Sequence, residues 1–359
     1  MDDSKRYMLA VPVNAQKKPT LPVYLRVFGV ASLAAVVLMW TLSNFSTDQV
    51  AKEYPHVFFV NMMYACGLQL YFLFLRYPDP IKRLRCRFAD DSQSDDQDVE
   101  TTQNTLRKSP LTTGQHARIA VIFAALYLAG NIAMIYAFAK TTVFAASLMA
   151  CTSSLWTLLF SRLARVGRVS AMKLGSVLIT IMAVAYFNWN DWWAAEKRAQ
   201  MTLLGNALGV LSAVFYGAYS TYLKVASEGD ESRLSYSLLF AFAGTYASLI
   251  VVPGCMLLHF LGFDRFELPS AYIAFLIVMN SLFGTVIPNY LWNAAFLFTS
   301  PLTVAIGLSF MTPLSLFVGW LQYGYVIQYY HVIATLMMMG GFLLVNMAEI
   351  YSEKDFVLF

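Results

Sequence analysis

The chain has 359 residues, of which 58% are hydrophobic and 13% are charged, and its formal net charge at pH 7 is +4. The hydrophobic fraction and the mean hydropathy of +0.56 both exceed those of ordinary soluble domains, which excludes a water-soluble enzyme or binding domain. Four cysteines, Cys66, Cys86, Cys151 and Cys255, show no CxxC spacing, and neither a disulfide nor a metal site is predicted.

Ten apolar stretches recur along the chain, and each is long enough to cross a bilayer as a helix of about 20 residues. Continuous apolar runs favour helices over a β-barrel, whose strands would alternate between apolar and polar residues. The predicted fold class is therefore an all-α membrane protein with ten transmembrane helices. In chain order, predicted spans 1 to 10 cover residues 25–46, 56–76, 118–139, 141–163, 170–188, 202–226, 234–260, 270–297, 300–322 and 328–350.

An even number of spans places both termini on one side of the membrane, and the distribution of Lys and Arg indicates which side. The termini and the loops after spans 2, 4 and 6, together with the span ends next to them, contain 20 of these residues, whereas the opposite loops contain 5. Because cytosolic loops carry the excess of Lys and Arg, both termini are predicted to be cytosolic. The net positive charge follows from this topology, so no nucleic-acid partner is predicted.

A weak internal repeat predicts how the spans are organised. The two halves match at one constant shift along the chain, which we call the repeat offset and define by the pair Asn131 and Asn289. Five spans cross the membrane an odd number of times, so a second copy must be inverted, and inverted repeats are typical of secondary transporters. The other matched pairs are Ala137 and Ala295, Phe138 and Phe296, Thr141 and Thr299, Leu178 and Leu336, and Asn188 and Asn346.

The repeat divides the chain into predicted units. They are a cytosolic tail 1–24, a first five-helix repeat 25–188, a second five-helix repeat 202–350 and a cytosolic tail 351–359. The first repeat contains a cytosolic loop, 77–117, that has few apolar side chains. Such a segment cannot bury enough surface to offset the entropy of ordering it, so the loop is predicted to be disordered.

Predicted span 8 carries the richest set of polar side chains at membrane depth. Asn289, Trp292 and Asn293 continue a polar stripe with three- and four-residue spacing, which is not expected to face lipid because an unpaired amide is costly there. Pro288 interrupts the helix in this stripe, and transporters place ligands at such interruptions. We therefore predict a substrate cavity at this position. The alternative interpretation is that these groups join span 8 to neighbouring helices.

Other predicted spans supply hydroxyl, amide and aromatic side chains to the same cavity. Span 9 has a second proline, Pro313, beside the hydroxyl of Thr312, and span 6 presents two tyrosines on one face. Aromatic rings beside hydroxyl groups suit a ring-bearing or sugar-like solute. The predicted substrate-binding residues are Asn131, Ser154, Tyr216, Tyr219, Asn289, Trp292, Asn293 and Thr312, with helix kinks at Pro288 and Pro313.

Few charged groups lie near the predicted cavity. Lys140, between spans 3 and 4, is predicted either to pair with an anionic solute or to extend to the outer membrane interface. No Asp or Glu lies deep in a predicted span, and ion-driven carriers usually hold the coupling ion on such a carboxylate. The sequence therefore favours facilitated diffusion or exchange. It also has no GxxxxGK[ST] loop, and no cofactor or enzymatic activity is predicted.

Several motifs resemble the drug/metabolite transporter superfamily. The segments that carry the resemblance are 152–155, 211–219 (LSAVFYGAY), 284–285, 290–292 and 299–302. They are most similar to EamA-type transporters of subfamily F of solute carrier family 35, a branch with fungal vacuolar and thiamine-regulated members. The resemblance implies ten helices, inverted repeats and alternating access, without a particular substrate.

The chain departs from this family at two positions. Relatives often carry an acid at the positions of Asn289 and Gly319, so a coupling role of those acids does not transfer to this chain. The predicted function is a secondary transporter, either a facilitator or an exchanger, of a small polar organic metabolite across an organelle membrane such as that of the vacuole. The alternative is a non-transporting membrane scaffold or receptor acting through its acidic cytosolic loop. The predicted partners are a small-molecule solute and membrane lipid, with a homodimer left open.

Overall fold

The computed structural model describes residues 23–76, 111–165, 171–194, 199–227, 234–264, 266–299, 301–324 and 326–355, and regular structure in these ranges is helical throughout. A 3₁₀ turn covers Gly67–Leu70, and a π-helical turn covers Asn280–Val286. The helices are α1 (Val23–Glu53), α2 (Val57–Cys66), α3 (Tyr71–Arg76), α4 (Thr113–Lys140), α5 (Val143–Ala150), α6 (Ser153–Leu163), α7 (Ala171–Ala194), α8 (Ala199–Ala226), α9 (Tyr236–Phe260), α10 (Ala271–Met279), α11 (Ile287–Phe298), α12 (Pro301–Ser309), α13 (Met311–Tyr323) and α14 (Tyr329–Asp355).

The exposed surface of the bundle is apolar, as expected for helices that face lipid. Seven helical segments in the described ranges are long and apolar enough to cross a membrane, and two shorter apolar segments run over Val57–Leu73 and Tyr329–Leu344. On α9, Leu249, Val252 and Phe260 are 67%, 63% and 80% exposed, which would be costly in water. The chain is therefore a multi-pass membrane protein, as its composition predicts, and the count of ten spans stays a prediction.

Three observed helix ends differ from the predicted boundaries. α4 begins at Thr113, inside the predicted loop 77–117, because Thr112 and Gln115 form a capping box there. α1 continues to Glu53, past the predicted end of span 1 at residue 46, and α14 continues to Asp355 through the first half of the predicted tail 351–359. The helices are longer than the predicted spans because hydropathy detects the apolar part of a helix and misses its polar extensions. Residues 77–110 of that loop, and residues 1–22 and 356–359, lie outside the described residues.

The helices pack in extended pairs, with glycines at the closest contacts. α4 packs along α8, α1 along α11, and α7 along α14. Lipid offers helices no hydrophobic driving force to associate, so close van der Waals packing at small residues holds them together. A Cβ atom at Gly205 of α8 would lie 2.6 Å from the Cβ of Thr141, and one at Gly29 of α1 would lie 2.7 Å from the Cγ2 of Thr299.

Two backbone features recur in the two halves at the repeat offset. α4 ends with Thr141 in an extended conformation whose N–H donates to the carbonyl four residues earlier, and α11 ends in the same way at Thr299. The second feature is a helix break, at Thr152 between α5 and α6 and at Phe310 between α12 and α13. The break at Phe310 lies three residues before Pro313, whereas no proline accompanies the break at Thr152. The repeat offset, which was inferred from matching residues in the sequence, therefore also relates the backbone conformations of the two halves.

The close contact of α4 with α8 leads to a stability prediction. We expect Gly205→Ala to lower the free energy of unfolding by about 1–3 kcal/mol, because its Cβ would overlap the backbone N of Thr141, 2.8 Å away. Gly340→Ala is the matched control, since no atom lies within 4 Å of its Cβ position in α14, and its greater helix propensity should make it neutral or stabilising. Thermal unfolding of both purified variants measures the difference, and equal midpoints would contradict the predicted contact.

Candidate functional site

A cavity of about 510 Å³ lies inside the bundle, between α1, α4 to α8 and α12 to α14. This volume is within the range of small-molecule binding sites. Its described lining residues are Trp40, Asn44, Met134, Ser147, Ala150, Cys151, Ser153, Ser154, Thr157, Leu158, Ser161, Arg162, Lys173, Tyr216, Lys224, Leu308, Ser309, Met311, Thr312, Met338, Met339 and Phe342.

The two helix breaks form facing walls of this cavity. Four pairs of lining residues are related by the repeat offset, with one member at each break: Ala150 and Leu308, Cys151 and Ser309, Ser153 and Met311, and Ser154 and Thr312. The thiol of Cys151 lies 4.0 Å from the hydroxyl of Thr312, so the two breaks approach each other directly. A helix break leaves backbone carbonyls without their usual partners and is found in membranes where it lines a cavity or is buried in protein.

The cavity wall combines apolar and hydroxyl surfaces. Trp40 of α1 and Tyr216 of α8 supply aromatic rings, and methionine side chains add apolar area. Along α6, Ser154, Thr157 and Ser161 follow three- and four-residue spacing, which places their hydroxyls on one face of the helix. Such a wall can stack against an apolar body and hydrogen-bond to polar substituents. Within the described ranges, no group of three His, Cys, Asp or Glu side chains is placed to hold a metal ion.

Three basic side chains line one end of the cavity, and this end was not predicted as part of a site. Arg162 belongs to the last turn of α6, Lys173 to the first turn of α7, and Lys224 to the last turn of α8. Sequence analysis counted these three residues only among the positive charges of the cytosolic side, which indicate membrane orientation. We call them the basic triad. No Asp or Glu is among the described residues that line the cavity.

At the opposite end of the bundle, a buried carboxylate joins α1 to α13. Asp48, near the end of α1, is 1% exposed and accepts a hydrogen bond of 2.7 Å from the hydroxyl of Tyr323, the last residue of α13. Lys52 forms an ion pair of 2.8 Å with Asp48, and its ammonium lies 5.2 Å from the centre of the Tyr323 ring. Sequence analysis missed Asp48 because the predicted span 1 ends at residue 46. We call this contact the Asp48–Tyr323 latch.

A second set of polar contacts holds the turn that follows α1. The hydroxyl of Tyr54 donates to the carbonyl of Glu267 at 2.6 Å, and His56 is hydrogen-bonded to Asp264. Burial, and then the charge of Asp264, raises the pKa of Tyr54 to about 12, so its hydroxyl stays protonated and remains a donor near neutral pH. These contacts tie the turn between α1 and α2 to the segment that leads into α10.

Of the eight predicted substrate-binding residues, Ser154, Tyr216 and Thr312 line the cavity. Tyr219 lies next to it, with its ring centre 4.9 Å from that of Tyr216, and packs in an aromatic cluster with Phe123. Lys140, the predicted anion partner, is the last residue of α4 and is not among the lining residues.

The other predicted positions lie away from the cavity lining. Asn131 lies in α4 and is not among the lining residues, and the amide of Asn289 donates to the carbonyl of Thr285, one turn earlier in the chain, at 2.7 Å. Trp292 packs beside the cluster that contains Val304. The side chain of Asn293 lies outside the described part of the structure. Pro288, a predicted helix kink, is the second residue of α11, and the π-helical turn ends two residues before it.

Two polar residues earlier in predicted span 8, Asn280 and Ser281, join helices together. The amide of Asn280 donates to the hydroxyl of Thr47 at 2.6 Å, and the hydroxyl of Ser281 donates to the carbonyl of Tyr64 at 3.1 Å. Both Asn280 and Ser281 are buried. For these two residues the interpretation as inter-helix contacts holds, since each satisfies its hydrogen bonds on α1 or α2.

Comparison with known proteins finds a similarity to a transporter family in the second half of the chain. Residues 203–347 match the EamA-like transporter family. The sequence is 31% identical over 222 residues to solute carrier family 35 member F5 of Mus musculus, covering 61% of this chain and 41% of that protein. The second half of the chain is therefore similar to an EamA-like transporter domain, and the predicted resemblance to the drug/metabolite transporters is confirmed.

Two further similarities extend over nearly the whole chain. An uncharacterised vacuolar membrane protein of Saccharomyces cerevisiae is 25% identical over 362 residues, which cover 91% of each chain. One solved structure, titled only as the crystal structure of a protein, superimposes with a TM-score of 0.52 at 16% identity and covers 90% of this chain and 98% of its own. This likeness shows that the fold as a whole has been observed before.

Cys151 provides a direct test of which end of the cavity is open. In a protein that keeps only this cysteine (Cys66, Cys86 and Cys255 replaced by Ser), a membrane-impermeant thiol reagent should label Cys151 from the side of the basic triad. A protein that keeps only Cys255, which lies in α9 outside the cavity lining, is the control. Labelling of Cys151 from the opposite side alone, or from neither side, would contradict access to the cavity from the end of the basic triad.

The Asp48–Tyr323 latch should control access from the opposite end. Tyr323→Phe removes a hydrogen bond to a charged group, worth about 1.5–3 kcal/mol, and should increase labelling of Cys151 from that end about tenfold or more. Tyr272→Phe is the matched control, because its hydroxyl accepts a hydrogen bond from Gln49 in an exposed position of the same end. If both variants label like the parent protein, the contact does not hold this end closed.

Proposed function

We propose that this protein is a secondary solute transporter that moves a small polar organic metabolite across an organelle membrane by alternating access, as a facilitator or an exchanger. The observation that carries the proposal is the cavity whose two facing walls are helix breaks related by the repeat offset. A cavity that reaches one end of the bundle while the other end is latched is what one state of a carrier requires. The transporter domain at 203–347 and the membrane helices support the same conclusion.

The proposal includes ten helices in two inverted repeats, 25–188 and 202–350, with cytosolic termini. One support comes from the first helix of each half, α1 and α8. Gly29 of α1 contacts the end of α11, and Gly205 of α8 contacts the end of α4 in the same way. The shift from Gly29 to Gly205 also relates Leu33, which packs on Gly307, to Gly209, which packs on Met149. We call this shift the first-helix offset.

The first-helix offset is longer than the repeat offset, and the loops explain the difference. Residues 77–112 separate α3 from α4 in the first half, whereas only residues 261–270 separate α9 from α10 in the second. Helices that precede these loops are therefore further from their counterparts along the chain than helices that follow them. Two offsets are what one duplicated unit shows when its copies differ in the length of this loop and of the helix before it.

Helix pairing supports the same symmetry. When the halves are exchanged, α1 takes the place of α8 and α4 takes the place of α11, so the α4–α8 pair becomes the α11–α1 pair. Both pairs are extensively packed, and the pair of α7 with α14 corresponds to itself. Through the first-helix offset, Trp40 corresponds to Tyr216, and both line the cavity. Each half thus contributes one aromatic ring and one helix break to the site.

Transport in this scheme uses the pseudo-symmetry directly. If the two halves exchange conformations, the latched end opens and the end with the basic triad closes, while the breaks stay at the cavity. Hydroxyls of Ser154 and Thr312 can then hold a polar substituent in both states. Since no carboxylate is among the described lining residues, the solute gradient or an exchanged solute would drive the cycle.

The aromatic pair leads to the central functional test. In proteoliposomes loaded against a metabolite extract, Trp40→Ala and Tyr216→Ala should each reduce uptake of the transported solute about tenfold, which corresponds to about 1.4 kcal/mol of lost contact energy. Trp320→Ala is the matched control, because Trp320 is exposed on the outer face of α13. Absence of any protein-dependent uptake, or equal loss in the control, would refute the proposed function or site respectively.

A further inference from the structure

The proposed function leaves the chemistry of the solute open, and two unpaired side chains of the cavity wall bear on it. Asn44 of α1 lines the cavity, and its amide makes no hydrogen bond to any residue that the structure describes. Ser147 of α5 also lines the cavity, and its hydroxyl oxygen is buried without a partner among the described residues. Burying such groups unpaired is costly, so a partner from outside the protein is expected there.

Packing between α1 and α5 places these two side chains at a similar depth. Phe45, the residue after Asn44, and Ala146, the residue before Ser147, belong to one buried cluster. Met134 packs against that cluster and lines the cavity as well. The amide and the hydroxyl therefore lie on neighbouring parts of a wall that is otherwise apolar. We call them the Asn44–Ser147 pair.

An aromatic ring lies one turn from the amide on the same helix. Trp40, Asn44 and Asp48 follow four-residue spacing, which places them on one face of α1. Trp40 and Asn44 line the cavity, whereas Asp48 belongs to the latch. A solute that contacts both lining residues can place a flat face on the indole ring and turn a polar edge to the amide.

From this arrangement we infer that the solute is a planar ring compound whose polar edge is an uncharged amide or imide, and that Asn44 binds this edge and determines specificity. The inference rests on the proposed transport function and adds the class of substrate. An asparagine amide offers an N–H donor beside a carbonyl acceptor, so a solute edge of the same kind satisfies both. A carboxylate has no donor and an ammonium group has no acceptor, so either would leave half of the amide unpaired.

Two other occupants could satisfy the Asn44–Ser147 pair, and each has a different consequence. A sugar carries hydroxyls on all sides, and beside Trp40 and Met134 most of them would lose their hydrogen bonds to water. Ordered water alone would satisfy the amide and the hydroxyl, but it would give no preference among solutes. The planar amide fits better because a single polar edge meets both unpaired groups and the rest of the ring is apolar.

The test compares three uncharged probes: quinazoline-2,4-dione, which is a flat imide, the same compound methylated at both ring nitrogens, and glucose. The dione should stabilise the purified full-length protein against thermal unfolding, and the methylated compound should bind at least tenfold more weakly because both N–H donors are blocked. Asn44→Leu should weaken binding of the dione about tenfold and leave binding of the methylated compound unchanged. Asn190→Leu is the matched control, because the amide of Asn190 donates to the carbonyl of Tyr186 at 2.8 Å, outside the cavity lining.

Ser147→Ala gives a second readout that does not depend on how Asn44→Leu folds. Alanine removes a buried hydroxyl that has no partner, so the empty variant should unfold at a higher temperature than the parent protein. The same variant should bind the dione about threefold more weakly, because one hydrogen bond to the solute is lost. A gain in stability combined with a loss of binding is typical of a group that serves a ligand.

The inference is overturned if glucose or the methylated compound stabilises the protein as much as the dione, if no probe does, or if Asn44→Leu and Ser147→Ala bind the dione like Asn190→Leu. Uptake from a metabolite extract into proteoliposomes, with solutes identified by mass spectrometry, distinguishes its failure from that of the proposed function. Accumulation of only solutes that lack an amide or imide edge refutes the inference and keeps the transporter. Asn44-dependent binding of the dione without uptake of any solute keeps the site and refutes transport.

Discussion

The structure depends on one constraint: every hydrogen-bonding group carried into the bilayer must find a partner in the protein or in an enclosed aqueous space. An unpaired polar group in hydrocarbon is costly, so helices dominate and polar side chains form contacts between them. Thr141, Asn188 and Asn206 illustrate this, since the hydroxyl of Thr141 and the amides of the two asparagines form one chain of hydrogen bonds between α4, α7 and α8. The polar groups left for function are those around the cavity.

The helices themselves could be predicted from the sequence, because long apolar runs have few other ways to satisfy their backbone. The repeat offset was also visible, since Thr141 and Thr299 share both sequence and backbone geometry. The role of each polar side chain could not be predicted in this way. Asn289 has the right residue type and the right depth, yet its amide bonds to its own helix. Whether such an amide faces the cavity or bonds to nearby backbone depends on the rotation of the helix about its axis, and hydropathy carries little information about that rotation.

Two further omissions have similar physical reasons. The break at Thr152 has no proline to mark it, and it became recognisable only through its counterpart at Phe310. Asp48 lies outside the apolar run of span 1, although α1 continues past it and buries it completely. In both places the tertiary contacts of neighbouring helices determine the local structure. Such contacts join residues far apart in the chain, as with Asp48 and Tyr323.

The Asp48–Tyr323 contact has a consequence for the order of assembly. α1 and α13 lie near opposite ends of the chain, so this contact can form only after almost all of the helices have entered the membrane. Until then, the carboxylate of Asp48 has Lys52 of its own helix as a partner. The ion pair within α1 would therefore let this helix insert before its distant partner has been synthesised.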